Sequence, residues 1–137
     1  QYETNTKKLH DRISQLRKTL KQSLSTVNKS FLTYHDGYQY FENEFGLNNR
    51  GFISSSELQP GARRISELKK LIKQQNIQCI FYDAPTKPPV LKTLLDNTKT
   101  RAYMLDPVGI LMPSGKDAWF ETMNLLGKQF INCQQNL

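Results

Sequence analysis

Apolar residues recur through residues 9–27 at steps of 4, 3, 4, 4 and 3, while lysine and arginine occupy many of the intervening positions. This spacing predicts a helix with one apolar stripe. A helix over residues 3–28 would be roughly 39 Å long, whereas a domain made of the remaining chain has a radius of gyration of only about 13 Å. The helix is therefore long enough to overhang one lobe or to cross more than one. Its stripe consists of Leu9, Ile13, Leu16, Leu20, Leu24 and Val27.

Strand and helix patterns alternate after this first helix. The short runs typical of β-strands lie at residues 31–35, 51–53, 77–83 and 101–105. Such alternation favours an α/β fold in which a parallel sheet is covered by helices on both faces. We therefore predict a four-stranded parallel sheet between helices, preceded by the one long helix.

The composition is that of an ordinary globular domain with a basic balance. The chain has 137 residues, 37% of them hydrophobic, and no apolar run approaches the roughly 20 residues of a membrane-spanning helix. The net charge of +7 raises the question of nucleic-acid binding. Because the basic residues are spread over every segment without interleaved aromatics, we interpret them as solvated surface rather than as a nucleic-acid or membrane footprint, and we expect no nucleic-acid partner.

Polar residues follow each predicted strand. The first strand ends at His35 and Asp36, the second at residues 54–57, the third at Asp83 and the fourth at Asp106. In parallel sheets, ligands bind beyond the carboxyl ends of the strands. This edge of the sheet is therefore the predicted site.

These residues also have plainer interpretations. His35 alone is more often a structural histidine than a metal ligand, and Asp106 precedes Pro107 and suits a turn. His10 lies off the apolar stripe of the long helix and is expected to be solvated. Zinc takes three or four N, O or S ligands, and the chain has no His-x-x-x-His pair and no Cys-x-x-Cys. Any metal site within this chain is therefore incomplete.

Known catalytic motifs are absent from the sequence. The chain has no nucleophile elbow, no phosphate-binding glycine loop and no His-Glu-x-x-His. We therefore expect a protein that is not an enzyme.

Cys79 and Cys133 are the only cysteines. Cys79 lies early in the third strand and Cys133 near the end of the last helix, so the two can meet at the amino-terminal edge of the sheet. Two separate buried thiols are the better interpretation for an intracellular protein. A bridge is the better one in an oxidising compartment.

Four segments resemble the carboxyl-terminal half of the periplasmic zinc-binding proteins of ABC importers. They are YHDGYQYFENEFGL at 34–47, ELQPGARR at 57–64, CIFYD at 79–83 and LDPVG at 105–109. The resemblance covers essentially the whole chain, with similar spacings. It implies that residues 1–29 form the rigid helix that joins two lobes in that family. Residues 30–137 would then form the carboxyl-terminal α/β metal-binding lobe.

The resemblance also implies a set of site residues. Zinc-type members place a histidine at the position of His35, where manganese-type members use a carboxylate, so Zn²⁺ rather than manganese is the expected metal. An aspartate at the position of Asp106 completes the site in many members, whereas some zinc-type members have water or another carboxylate there. Cys79 and Cys133 match a pair that forms a disulfide in the zinc branch. The chain departs from the family at Asp83, where relatives usually have Glu.

The implied function is capture of Zn²⁺ in the periplasm and its delivery to an ABC permease in the inner membrane. The amino-terminal lobe of the family is missing, and the sequence begins at Gln1 without a signal peptide. We therefore expect a piece of a longer exported protein. The alternative hypothesis is an α/β interaction or adhesion module that binds no metal, in which His35 is structural.

Overall fold

The structure, a computed structural model, describes residues 2–55 and 58–135. Within these residues, one opening helix is followed by four strands that alternate with four further helices. The elements are α1 (Tyr2–Leu24), β1 (Phe31–Thr33), α2 (Gln39–Phe45), β2 (Asn49–Phe52), α3 (Ala62–Gln74), β3 (Cys79–Asp83), α4 (Val90–Leu95), β4 (Arg101–Leu105) and α5 (Ala118–Gln135). None of these helices is both long enough and apolar enough to span a bilayer.

The four strands form one parallel sheet in the order β2-β1-β3-β4. Thr33 of β1 pairs with Phe81 of β3, and Asp83 at the end of β3 pairs with Leu105 at the end of β4. Parallel neighbours need a crossover connection, which a helix provides, and helices cover both faces of the sheet. The predicted fold, a four-stranded parallel α/β sheet behind one long helix, is confirmed.

Boundaries of α1 and of three strands differ from the prediction: α1 ends at Leu24 rather than near residue 28, and β3 begins at Cys79 rather than at residue 77. β1 ends at Thr33 rather than at His35, and β2 begins at Asn49, earlier than expected. The pairing of β1 with β2 shifts register between Phe31 and Thr33. Past this shift, the Ile53 N–H lies within hydrogen-bond distance of the carbonyl oxygens of both Thr33 and Tyr34, at 3.0 and 3.2 Å. Because β1 ends at Thr33, His35 lies beyond the strand rather than within it.

The first helical layer packs α1, α2 and α5 on one face of the sheet, around an aromatic core. The ring of Phe81 lies 5.2 Å from that of Phe31 and 4.7 Å from that of Phe130, centroid to centroid. Phe130 also stacks on Phe41 of α2, at 5.5 Å. Aromatic pairs of this kind contribute roughly 0.5–1.5 kcal/mol each beyond the burial of their surface. These rings therefore fix the layer to the two central strands.

The second helical layer packs α3 and α4 on the opposite face. Leu68 of α3 and Leu91 of α4 are fully buried in one cluster with Leu32 of β1 and Ile80 of β3. Successive residues of a strand point to opposite faces, so Phe31 faces the first layer while its neighbour Leu32 faces the second.

The apolar stripe of α1 is buried against the lobe only in the second half of the helix. The helix has 23 residues and is roughly 35 Å long. Leu16, Leu20 and Leu24 are buried, whereas Leu9 is 50% exposed and Ile13 is 40% exposed. The expected overhang of the apolar stripe is therefore present.

Two exposed ion pairs also hold α1 against the lobe. Arg12 lies 2.5 Å from Asp117, and its guanidinium is 3.9 Å from the ring centroid of Phe120. Arg17 donates two hydrogen bonds to Glu44 of α2 and lowers the pKa of that carboxyl. Because exposed pairs add little stability, burial of the three leucines supplies most of the attachment.

Cys79 at the start of β3 and Cys133 near the end of α5 are joined by a disulfide, with 6.2 Å between their Cα atoms. Both side chains are buried. The bridge ties α5 to the amino-terminal edge of the sheet, opposite the predicted site. The pairing implied by the family resemblance is thus present.

Removing this disulfide should destabilise the fold. It closes a separation of 54 positions, for which the chain-entropy model gives about 4 kcal/mol as an upper value. We expect the double variant Cys79→Ser, Cys133→Ser to unfold at lower urea, with a loss of roughly 2–4 kcal/mol. Reductant should lower the stability of the wild type and leave the variant unchanged. Two free thiols in folded, air-exposed wild-type protein would contradict the pairing.

The overhang of α1 should be visible in amide hydrogen exchange. We expect fast exchange from Thr4 to Ile13 and slow exchange from Leu16 to Leu24, because only the second half of the helix is supported by packing. If a second copy covers the exposed stripe, protection of the first half should rise with protein concentration. Uniform strong protection along α1 in a strictly monomeric sample would show that one lobe supports the whole helix.

Candidate metal centre

Three parallel strands bring polar residues to one edge of the sheet. His35 lies just past β1, Asp83 is the last residue of β3, and Asp106 directly follows β4. Because β3 pairs in register with both β1 and β4, the ends of the three strands are neighbours. The Ala84 N–H donates to the Leu105 carbonyl at 2.7 Å and continues the pairing past the end of β3.

His35 is oriented by Asp83. Nδ1 of His35 lies 2.7 Å from Oδ2 of Asp83, and both side chains are partly buried. A carboxylate accepts hydrogen bonds and cannot donate them, so Nδ1 carries a proton, and in the neutral imidazole the lone pair is then on Nε2. A carboxylate partner of this kind fixes the tautomer and ring orientation of a metal-binding histidine.

The other ring nitrogen, Nε2 of His35, is buried and has no hydrogen-bond partner within residues 2–55 and 58–135. Buried polar atoms are nearly always paired, and leaving one unpaired costs roughly 1–3 kcal/mol. A neutral imidazole nitrogen with its lone pair free is a good ligand for zinc. The buried and unpaired Nε2 of His35 therefore fits metal binding.

Tyr38 holds the second oxygen of the same carboxylate. Its hydroxyl donates to Oδ1 of Asp83, and its side chain is buried. Burial raises the pKa of Tyr38, and the hydrogen bond and charge of Asp83 and the charges of Asp106 and Glu42 raise it further. The phenol therefore remains a hydrogen-bond donor at neutral pH. Asp83 thus has one partner on each oxygen and is fixed in place beside His35.

Asp106 is fully buried and holds a turn together. Its Oδ1 accepts the Ile110 N–H at 3.0 Å, and its Oδ2 accepts the Leu111 N–H at 2.9 Å. The turn that the sequence offered as the plainer interpretation of Asp106 is therefore present. In the described part of the chain, no hydrogen bond or ion pair joins Asp106 to His35. Each carboxylate oxygen still has a second lone pair, so the turn does not exhaust its capacity to bind.

The remaining candidates do not complete a site. Within residues 2–55 and 58–135, no three His, Cys, Asp or Glu side chains are grouped so that they could hold a metal ion. His10 is exposed on α1. Ser54, after β2, donates its hydroxyl to the Leu58 carbonyl at 2.9 Å, and the predicted candidates Ser56 and Glu57 lie outside the described residues. The described residues therefore contain no complete metal site.

Asp83 and Tyr38 have no assigned role in the predicted site, although Asp83 stands at a predicted strand end. The signal for Asp83 was its position at the end of a strong strand, but strand order within the sheet cannot be read from the alternation of elements. Tyr38 directly precedes α2, which begins at Gln39. Only the pairing of β1 with β3 shows that both residues lie beside His35.

Comparison with known proteins finds relatives along nearly the whole chain. Residues 1–133 match the family described as ZnuA, zinc-uptake complex component A periplasmic. The high-affinity zinc uptake system protein ZnuA of Brucella abortus is 36% identical over 135 residues, which cover 97% of this chain and 40% of the relative. The chain thus spans less than half the length of this curated relative.

Solved structures show the same fold. The laminin-binding protein Lbp of Streptococcus pyogenes superposes with a TM-score of 0.75 at 26% identity, over 98% of this chain and 51% of that chain. A crystal structure of ZnuA superposes with a TM-score of 0.78 over 96% of this chain and 47% of that chain. At 19% identity, the second likeness shows the fold alone.

The tautomer of His35 gives a direct test of this geometry. In ¹⁵N NMR of neutral histidine side chains, His35 should carry its proton on Nδ1, because Asp83 accepts a hydrogen bond there. Asp83→Ala should return the ring to a mixture of tautomers, whereas Asp36→Ala, which removes an exposed carboxylate beside His35 in the sequence, should change nothing. A proton on Nε2 in the wild-type protein would contradict the assignment.

Proposed function

This chain belongs to the ZnuA family of periplasmic zinc-uptake components, and we propose that it forms one metal-binding lobe of a zinc-capture protein. The lobe contributes His35 and Asp106 to a Zn²⁺ site that a second lobe, outside this chain, completes. The protein holds the ion in the periplasm, passes it to an ABC permease in the inner membrane and performs no chemistry on it.

The state of His35 is the observation that carries this proposal. Its Nδ1 is committed to Asp83, and its Nε2 is buried without a partner in the described residues. A structural histidine would pair both nitrogens, because an unpaired buried one is costly. Zinc at about 2.0–2.1 Å from Nε2 removes that cost.

Asp106 supplies the second ligand in this proposal. Its carboxylate is buried and held by two backbone N–H groups, which leave lone pairs for a metal. Its charge contributes to the raised pKa of Tyr38, which supports a position close to the pair formed by Asp83 and His35. Zinc needs three or four ligands, so the others come from the second lobe.

The nitrogen ligand favours zinc over manganese. Imidazole suits zinc, whereas manganese favours carboxylate, carbonyl and water oxygens. A site that begins with His35 is therefore better matched to Zn²⁺.

We assign residues 1–29, which contain α1, to the segment that joins the two lobes and residues 30–137 to the metal-binding lobe. The half of α1 that contains Leu16, Leu20 and Leu24 packs on this lobe. The exposed stripe at Leu9 and Ile13 is then the surface that contacts the second lobe, since exposed apolar patches mark interaction sites.

An adhesion module in which His35 is structural remains the alternative function. The likeness to a laminin-binding protein, at 26% identity, is the observation in its favour. The adhesion hypothesis does not explain why Nε2 of His35 is unpaired. Zinc binding is expected only under the metal-capture hypothesis, so measuring it distinguishes the two.

Calorimetry with zinc tests the proposal. We expect this chain to bind one Zn²⁺ weakly and the longer protein with both lobes to bind it tightly, because the chain supplies too few ligands. His35→Ala should abolish the binding measured on the chain. Asp83→Ala should weaken it by roughly 10–100-fold, the usual cost of removing the partner of a metal-binding histidine.

The matched control is His10→Ala, which removes the other histidine of the chain, exposed on α1, and should leave zinc binding unchanged. Sub-micromolar binding that survives His35→Ala would refute the assignment of His35. Failure of the longer protein to bind zinc would favour the adhesion hypothesis.

A further inference from the structure

The net charge of the chain is concentrated in one segment. Residues 60–101 contain 9 basic and 3 acidic side chains, a net charge of +6, whereas the rest of the chain contains 10 basic and 9 acidic, a net charge of +1. This segment includes α3 and α4, which together form the second helical layer. The basic residues are thus spread along the sequence, but the excess of positive charge belongs to one layer.

Five lysines of this layer form a continuous surface, which we call the lysine face. A groove of about 800 Å³ beside the end of α3 is lined by lysines of α3 and of the loop before β4, and a second groove of about 580 Å³ beside α4 is lined by two more lysines. Asp96 lines both grooves, which makes them neighbours. The lysine face consists of Lys69, Lys73, Lys87, Lys92 and Lys99.

The charge of the lysine face is not neutralised within the lobe. All five side chains are exposed, and in residues 2–55 and 58–135 none of them has a carboxylate within ion-pair distance. Glu67, the acidic residue of α3, pairs with Arg63 and Arg64 instead, at 3.1 and 3.9 Å. The lysine face therefore presents open positive charge to solvent.

The composition of this layer fits a lipid surface better than a protein surface. The cores of protein interfaces are enriched in aromatic residues and methionine and depleted in lysine. Among the described residues, every large hydrophobic side chain with high exposure lies outside residues 60–101. Clusters of exposed lysine without apolar anchors are typical of electrostatic binding to anionic membranes.

We propose that the lysine face docks the lobe on an anionic phospholipid bilayer through the phosphates of its headgroups. The contact is electrostatic and superficial, because no exposed apolar side chain of this layer enters the lipid. It lies on the helical layer opposite α1, α2 and α5, so the exposed stripe of α1 stays free for its own partner. This docking surface does not depend on the zinc function.

Sedimentation with vesicles tests the proposal. The 137-residue chain should bind phosphatidylglycerol vesicles at low salt, should not bind phosphatidylcholine vesicles, and should be released as salt rises. Each lysine near an anionic surface is worth about fivefold in binding. The triple variant Lys69→Gln, Lys73→Gln, Lys99→Gln should therefore bind on the order of 100-fold more weakly, with an unchanged circular dichroism spectrum and melting temperature.

The matched control places the same three changes on α1, as Lys7→Gln, Lys8→Gln and Lys18→Gln, which are exposed and alter the net charge equally. It should bind vesicles like the wild type. If both triple variants lost vesicle binding equally, net charge rather than the position of the lysines would determine binding, and the proposal would be overturned.

Two further outcomes would also overturn it. Release by inorganic phosphate but not by chloride at equal ionic strength would mean a discrete phosphate site in the groove. Binding to immobilised polyglutamate without binding to phosphatidylglycerol vesicles would mean that the lysine face recognises an acidic protein surface.

Discussion

Parallel pairing of β1 with β3 and of β3 with β4 brings the ends of three strands together, and with them His35, Asp83 and Asp106. These residues are 23 to 71 positions apart in the sequence and reach the same edge of the sheet only because the three strands run in the same direction and in register. A shift of one residue in this pairing would reverse the faces of the strand residues and expose the aromatic core. The core and the site therefore depend on the same register.

The site is rigid because its supports extend into the core. Tyr38 donates to Asp83 at the site, and its ring packs edge-on against Phe130, with 6.2 Å between centroids. Phe130 contacts the rings of both central strands. The carboxylate that orients His35 is therefore held by the same side chains that fix α5 to the sheet. A ligand mounted in this way loses little conformational freedom when it binds an ion.

Much of the fold was predictable from periodicity. The apolar stripe of α1 and the alternation of strands with helices predicted the fold class. The rule that ligands bind beyond the carboxyl ends of parallel strands predicted that His35, Asp83 and Asp106 lie at one edge of the sheet. The partner of His35 was not predictable, because alternation leaves the order of strands open. The register shift of β1 against β2, between Phe31 and Thr33, was not predicted either. The sequence pattern is compatible both with two free thiols at Cys79 and Cys133 and with a disulfide between them. Only the family resemblance indicated the disulfide.

We propose that Nε2 of His35 is a zinc ligand whose orientation is set by Asp83. Zinc titrated into the chain and followed by ¹⁵N NMR of its two histidines is the direct test. We expect the Nε2 resonance of His35 to shift with added zinc while its Nδ1 keeps the proton bonded to Asp83, and we expect His10 to be unaffected. Zinc that shifts His10 alone, or that displaces the proton from Nδ1 of His35, would contradict it.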